Sequence, residues 1–163
     1  MALFDSLPTG LLRIAFRGPV WLYRMRLGSL LGRRFVYVAH RGRSSGLRRE
    51  TVVEVVGLDD TEVFVVSGYG ERADWYRNLQ AAPALEIRLA GHRYQRPAQR
   101  FLTREQTVEL LSSYRRRHPR TWRRLASAFS LPAEPTTGQL DNAAERLRSV
   151  AFTLDSVRSP QGA

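Results

Sequence analysis

The stretch from Phe35 to Val66, FVYVAHRGRSSGLRRETVVEVVGLDDTEVFVV, decides the fold. Phe35-Val36-Tyr37-Val38-Ala39, Thr51 to Val56 and Val63-Phe64-Val65-Val66 are short β-branched or aromatic runs, which suit a pleated, half-buried surface. Gly57-Leu58-Asp59-Asp60 separates the second run from the third as a hairpin loop does. Consecutive strands joined by tight turns pair antiparallel.

Working outward, Asp74 to Ala82 reads as a short helix capped by Asp74 and stopped by Pro83. Leu85 to Leu89 and Arg93 to Leu102 read as two further strands around the turn Ala90-Gly91-His92. Thr103 with Gln106 is a capping-box pattern opening a helix to about Arg117. His118-Pro119 breaks it, and Pro119 to Phe129 is helical again. Thr136 with Gln139 repeats the pattern before a helix to Leu147, and Val150 to Leu154 closes as a strand. Upstream, residues 1–34 form an amphipathic helical entry, with Leu11, Leu12, Ala15 and Phe16 on one side and Pro19 opening a second helix. Residues 156–163 read as a frayed tail. The expectation is one α+β domain, mainly β, spanning residues 1–163: a small barrel or roll of antiparallel strands with surrounding helices.

Composition narrows the function classes. All 26 basic residues are arginine against 15 acids, a net charge of +11. A GC-rich codon style explains the missing lysines but not the excess of bases, which implies an anionic partner. There is no cysteine, so disulfide scaffolds and thiolate metal sites are excluded. His40, His92 and His118 never form a close pair, which argues against a metal site. Arg13, Arg17, Arg24 and Arg26 interrupt the apolar stretch Leu11 to Leu31, so neither a signal peptide nor a membrane span is expected. A cytoplasmic protein follows, with the N-terminal helix either packed on the domain or resting on an anionic membrane surface.

Three segments carry chemistry. In Arg41-Gly42-Arg43-Ser44-Ser45-Gly46, followed by Arg48 and Arg49, glycines let backbone N–H groups converge on an anion while serines and arginines add donors. Read as structure alone, it is a basic hairpin turn. In Ser67-Gly68-Tyr69-Gly70-Glu71-Arg72-Ala73-Asp74-Trp75-Tyr76-Arg77-Asn78-Leu79, the Gly68, Gly70 and Ala73 spacing matches a dinucleotide fingerprint, but the flanking hairpins are not those of a Rossmann unit. Trp75 and Asn78 share one helix face and serve either as core or as pocket wall. The third, Tyr114 to Arg124, interleaves arginines with aromatics; a solvated basic helix is expected there rather than a nucleic-acid surface. Glu50 and Glu54 lie on one strand face with neighbouring arginines as their expected partners.

His40-Arg41-Gly42-Arg43-Ser44-Ser45-Gly46 and the later Trp75-Tyr76-x-Asn78-Leu79, with Ser67 between them, resemble the deazaflavin-dependent nitroreductase family of split β-barrel proteins that use coenzyme F420. The resemblance runs from about Phe35 to Leu102 and, more weakly, to the final strand. It implies that Arg43, Ser44, Ser45, Gly46 and Arg49 hold the phosphate and oligoglutamate tail, with Arg48 replacing a basic residue that many relatives carry where Ser44 stands. It further implies that Val65, Val66, Ser67 and Gly68 border the deazaflavin ring, with Trp75 and Asn78 completing the pocket. The chemistry is then hydride transfer from the reduced deazaflavin to a quinone, enone, nitro or other unsaturated acceptor. Tyr69 is the candidate proton donor, with solvent as its rival. The tyrosines that shape the nitroimidazole pocket of the best-known member have no match, and His118, Thr121 and Trp122 take their place as substrate-pocket candidates. A non-catalytic F420 carrier is the alternative, and an FMN-dependent split-barrel oxidase is the nearest rival among enzymes.

Overall fold

The computed structural model describes residues 32–154. The helices expected within residues 1–31, their membrane contact and the frayed tail lie outside the described residues.

Alternation along β1 (Phe35–Arg41) sends Val36, Val38 and His40 to one face and Tyr37 and Ala39 to the other, and all five are buried. Such a strand needs cover on both sides and neighbours on both edges. It pairs antiparallel with β2 (Arg48–Leu58) and with β4 (Glu86–Leu89). β3 (Glu62–Ser67) pairs with β2, and β7 (Arg148–Thr153) with β3. β5 (His92–Gln95) and β6 (Gln99–Phe101) form the edges of a seven-stranded antiparallel sheet ordered β5-β4-β1-β2-β3-β7-β6. The single strand expected from Arg93 to Leu102 is therefore two. Arg96 takes φ +46, Pro97 offers no N–H, and the two halves pair with opposite ends of the sheet.

In a flat sheet β4 and β7, four strands apart, would be about 19 Å from each other. Yet Ile87 and Leu89 of β4 share one core cluster with Val150 and Phe152 of β7, together with Val36, Val38, Val63 and Val65. The sheet must curl into a half-barrel. Helix α1 (Asp74–Ala81) plugs it with Tyr76 and Leu79. The side chain of Gln99 bridges the seam, donating to the Leu79 carbonyl and accepting from the Ala84 N–H, each at 2.9 Å. This is the split-barrel, mainly β architecture expected.

The other face of β2 and β3 is covered by α2 (Arg104–Arg117), α3 (Pro119–Ala128) and α4 (Thr137–Arg146). Both capping boxes form: Thr103 and Thr136 each accept from the N–H three residues on, and Gln106 and Gln139 reach back. Leu110, Leu111, Trp122, Ala126 and Leu140 pack there against Val56, Phe64 and Val66. Among the described residues, no helix is long and apolar enough to cross a membrane.

Candidate functional site

The six residues between β1 and β2 close on a pair of backbone bonds. Gly42 N–H donates to the Leu47 carbonyl and Gly46 N–H to the Gly42 carbonyl, both at 2.8 Å. A Cβ on Gly42 would stand 2.7 Å from Ser45 Oγ, and Gly46 adopts φ +68, so both positions favour glycine. Arg43 then ties the loop to α1. Its backbone N–H and its Nη1 both donate to Asn78 Oδ1 at 3.0 Å, and its Nη2 reaches Asp74 Oδ1 at 2.9 Å. Asp74 is the first helical residue and leaves the cap position to Ala73, because its carboxylate faces Arg43.

Two donors on Oδ1 fix the orientation of the Asn78 amide, so Nδ2 is the donor toward His40 Nδ1, 3.1 Å away. His40 must accept there and is neutral. Burial, with Arg49 nearby, pulls its pKa down to about 4. The loop is thus braced from behind by a His40–Asn78–Arg43 chain whose first two members are buried. On its outer side Ser44, Ser45, Gly46 and Arg49 are exposed. Among the described residues, the N–H groups of Ser44 and Ser45 and the Arg49 guanidinium have no acceptor. The exposed side of the loop therefore presents two unbonded N–H groups and an unpaired cation, a donor set of the kind anions bind.

Arg48 stands apart from them. It points to the opposite sheet face, donating to Tyr37 Oη at 3.2 Å and Glu86 Oε2 at 3.3 Å, with Glu50 at 3.6 Å. Glu86 is buried, which alone would raise its pKa, but hydrogen bonds from Arg93 and Arg88 prevail and hold it below the usual carboxylate range.

The turn after β3 is equally constrained. Ser67 is buried and its hydroxyl donates to the Gly70 carbonyl at 2.9 Å, so it faces inward. Gly70 has φ +55, and a Cβ there would lie 2.0 Å from the Arg146 carbonyl. Gly68 is exposed, with the Phe129 ring 3.1 Å from where its Cβ would stand. Val65 is fully buried in the half-barrel and Val66 packs outward under the helices. Tyr69 and Trp75 are half-buried against the core. Of the residues expected to border a ring, Gly68 is exposed and Val66 and Trp75 are half-buried, while Val65, Ser67 and Asn78 are buried.

A cleft of about 390 Å³ opens where β2 meets the α2–α3 junction, lined by Arg33, Arg34, Val55 to Leu58, Tyr114, Arg117, His118 and Thr121. Pro119 in the first turn of α3 ends α2 and turns His118 and Thr121 into it. Trp122 is excluded: it is buried and its Nε1 donates to the Ala133 carbonyl at 2.8 Å. Sequence reading missed Tyr114, whose hydroxyl donates to Glu54 Oε1 at 3.3 Å, while Arg34 Nε lies 3.5 Å from the same oxygen. Burial first, then the Glu54 charge, pushes Tyr114 up to about 12. The four-residue spacing from Tyr114 to His118, whose rings lie 5.1 Å apart, pointed to His118, and nothing local pointed to Glu54. The loop and the cleft occupy opposite ends of the β1–β2 hairpin, from the Arg41–Arg48 pair to the Phe35–Glu54 pair. Six strand residues separate them, about 20 Å. Among the described residues no cluster of side chains could hold a metal ion.

Residues 15–128 match the family model described as F420H(2)-dependent quinone reductase. No protein with a curated description matches the chain. Among solved structures, an F420-H2 dependent reductase, FDR-A, is similar at 18% identity over 75% of this chain and 95% of its own, with a TM-score of 0.45. A protein described as a domain-swapped dimer matches at 16% identity over 83% of this chain and 99% of its own, TM-score 0.49. A pyridoxamine 5'-phosphate oxidase-related, FMN-binding protein from Nostoc punctiforme matches at 12% identity over 90% and 82%, TM-score 0.45.

Proposed function

The chain belongs to the F420H(2)-dependent quinone reductase family, and from that premise we propose how its own residues divide the work of an F420-dependent reductase acting on a quinone-type acceptor. The observation that carries the assignment is the braced loop: free N–H groups at Ser44 and Ser45 beside an unpaired Arg49, held rigid through Arg43 and Asn78. A polyanionic tail fits this donor set, and a sheet-long ligand fits the separation of about 20 Å between loop and cleft.

In this reading Ser44, Ser45, Gly46 and Arg49 hold the phosphate and acidic tail. Arg43 is a positioning residue, because its guanidinium already engages Asn78 and Asp74. Arg48 belongs to the Glu86 cluster and contributes field rather than contact. The exposed Gly68 backbone lets a flat ring approach closely, with Trp75 at its edge. The bound coenzyme supplies the hydride; the protein supplies position and excludes water. The cleft at His118 and Thr121 receives the acceptor, with Val55, Val56 and Leu58 as apolar floor. The proton that completes reduction comes from Tyr69 or from solvent.

The test is a fluorescence titration with oxidised coenzyme F420, then mixing of the reduced coenzyme with a quinone panel. Saturable binding and quinone-dependent oxidation are expected. Binding without oxidation of the coenzyme by any acceptor would leave only a carrier.

A further inference from the structure

We infer that the acceptor received by the cleft is an anion: a quinone or related ring bearing a carboxylate, a sulfonate or an ionised hydroxyl beside its reducible carbonyls. This inference rests on the reading of the cleft as the acceptor site and names the class of compound it takes. Three guanidinium groups, from Arg33, Arg34 and Arg117, line the cleft, and of these Arg34 alone meets a carboxylate, that of Glu54, among the described residues. Glu54 is shared between Arg34 Nε at 3.5 Å and the Tyr114 hydroxyl at 3.3 Å. Arg117 donates only to the Ser113 carbonyl, at 3.4 Å, and Arg33 has no partner among the described residues.

Further along the same sheet face the balance differs. Arg48, Arg88 and Arg93 converge there on Glu86, and Arg48 also meets Glu50, so their charge is largely matched. The cleft keeps an excess of two positive charges above an apolar floor. Guanidinium forks recognise carboxylates and sulfonates bidentately. A flat apolar ring with one acidic substituent satisfies both floor and rim, whereas a neutral ring leaves the rim unanswered. The same field draws an anionic acceptor in from solution and weakens as salt screens it.

The experiment measures kcat/KM for oxidation of reduced coenzyme F420 by 1,4-naphthoquinone and by 1,4-naphthoquinone-2-sulfonate, alongside the Kd of the oxidised coenzyme. The sulfonate is expected to be favoured at least tenfold at low salt, with the ratio falling as ionic strength rises. In R117E the ratio should drop at least tenfold below that of the native protein, which removes the effect of differing quinone potentials. R33Q is the second variant if R117E does not fold, and the salt series needs no variant. A ratio indifferent to salt and to both substitutions overturns the inference while leaving the reductase reading intact. So does R117E if it weakens coenzyme binding and lowers both quinones alike, since the arginines then serve the coenzyme. Coenzyme binding with neither quinone reduced sinks the acceptor reading itself, and this inference with it.

Discussion

Arg43 meets Asn78 twice, its backbone N–H and its guanidinium both donating to one amide oxygen at 3.0 Å, across 35 residues of chain. The coupling joins the β1–β2 loop to the helix that plugs the half-barrel, so loop conformation and barrel stability are linked. Arg43→Ala should lower stability by about 1–3 kcal/mol and weaken coenzyme binding as the loop loosens. A double-mutant cycle with Asn78→Ala, read by urea unfolding, should show coupling of roughly 0.5–3 kcal/mol. Strict additivity would mean that the clip does not brace the loop.

Arg48 and Arg49 are adjacent but face opposite sides of the sheet, and they should separate cleanly. Arg49→Gln removes an unpaired cation, so coenzyme binding should fall by about 1.5–3 kcal/mol with stability nearly unchanged. Arg48→Gln withdraws one partner from the buried Glu86 carboxylate, so stability should fall more than binding. Calorimetric titration and thermal unfolding of both variants check this. The reverse pattern would place the coenzyme tail on the Glu86 face.

What the sequence disclosed was whatever has a local cause. Strand alternation from Phe35 to Val66, both capping boxes and the break at Pro119 are set by neighbouring residues, and all appear as expected. The break at Arg96 had a local signal in Pro97, which has no N–H for a ladder, but only pairing with opposite sheet edges separates the two halves into distinct strands. That residues 42–47 form a glycine-dependent turn was legible from Gly42 and Gly46. Which arginine is free was not, since that depends on strand face and on partners 31 to 38 residues away. Tyr114 and Glu54, 60 residues apart, meet only because α2 lies across β2.

Glycine at position 70 has no substitute. Its φ of +55 strains any side chain, and a Cβ there would stand 2.0 Å from the Arg146 carbonyl, overlapping rigid backbone. Gly70→Ala should destabilise by more than about 2 kcal/mol. Gly91→Ala, at φ +84 but in open space, isolates the conformational part at about 1 kcal/mol. Urea midpoints measure both. Equal losses would show that α4 yields to make room.

His40 predicts a particular pH response. Its pKa is about 4 in the folded chain and 6.5 when unfolded, so between those values the unfolded state binds the extra proton. Stability is therefore full above about pH 6.5 and declines as pH falls toward 4, with a ceiling of about 3 kcal/mol for this shift. The interval from pH 6.5 to 5 is diagnostic, because the Glu86 carboxylate, held below its ordinary range, titrates later. In His40→Gln the loss over that interval should disappear, since glutamine can accept from Asn78 Nδ2 without gaining charge. Asn78→Asp should act oppositely: a carboxylate beside Nδ1 favours the imidazolium, so the His40 pKa rises, as followed by its ring-proton NMR shifts. A native unfolding free energy that stays flat from pH 6.5 to 5 would mean that His40 takes up a proton in the folded chain, and the neutral acceptor bracing Asn78 would have to be abandoned.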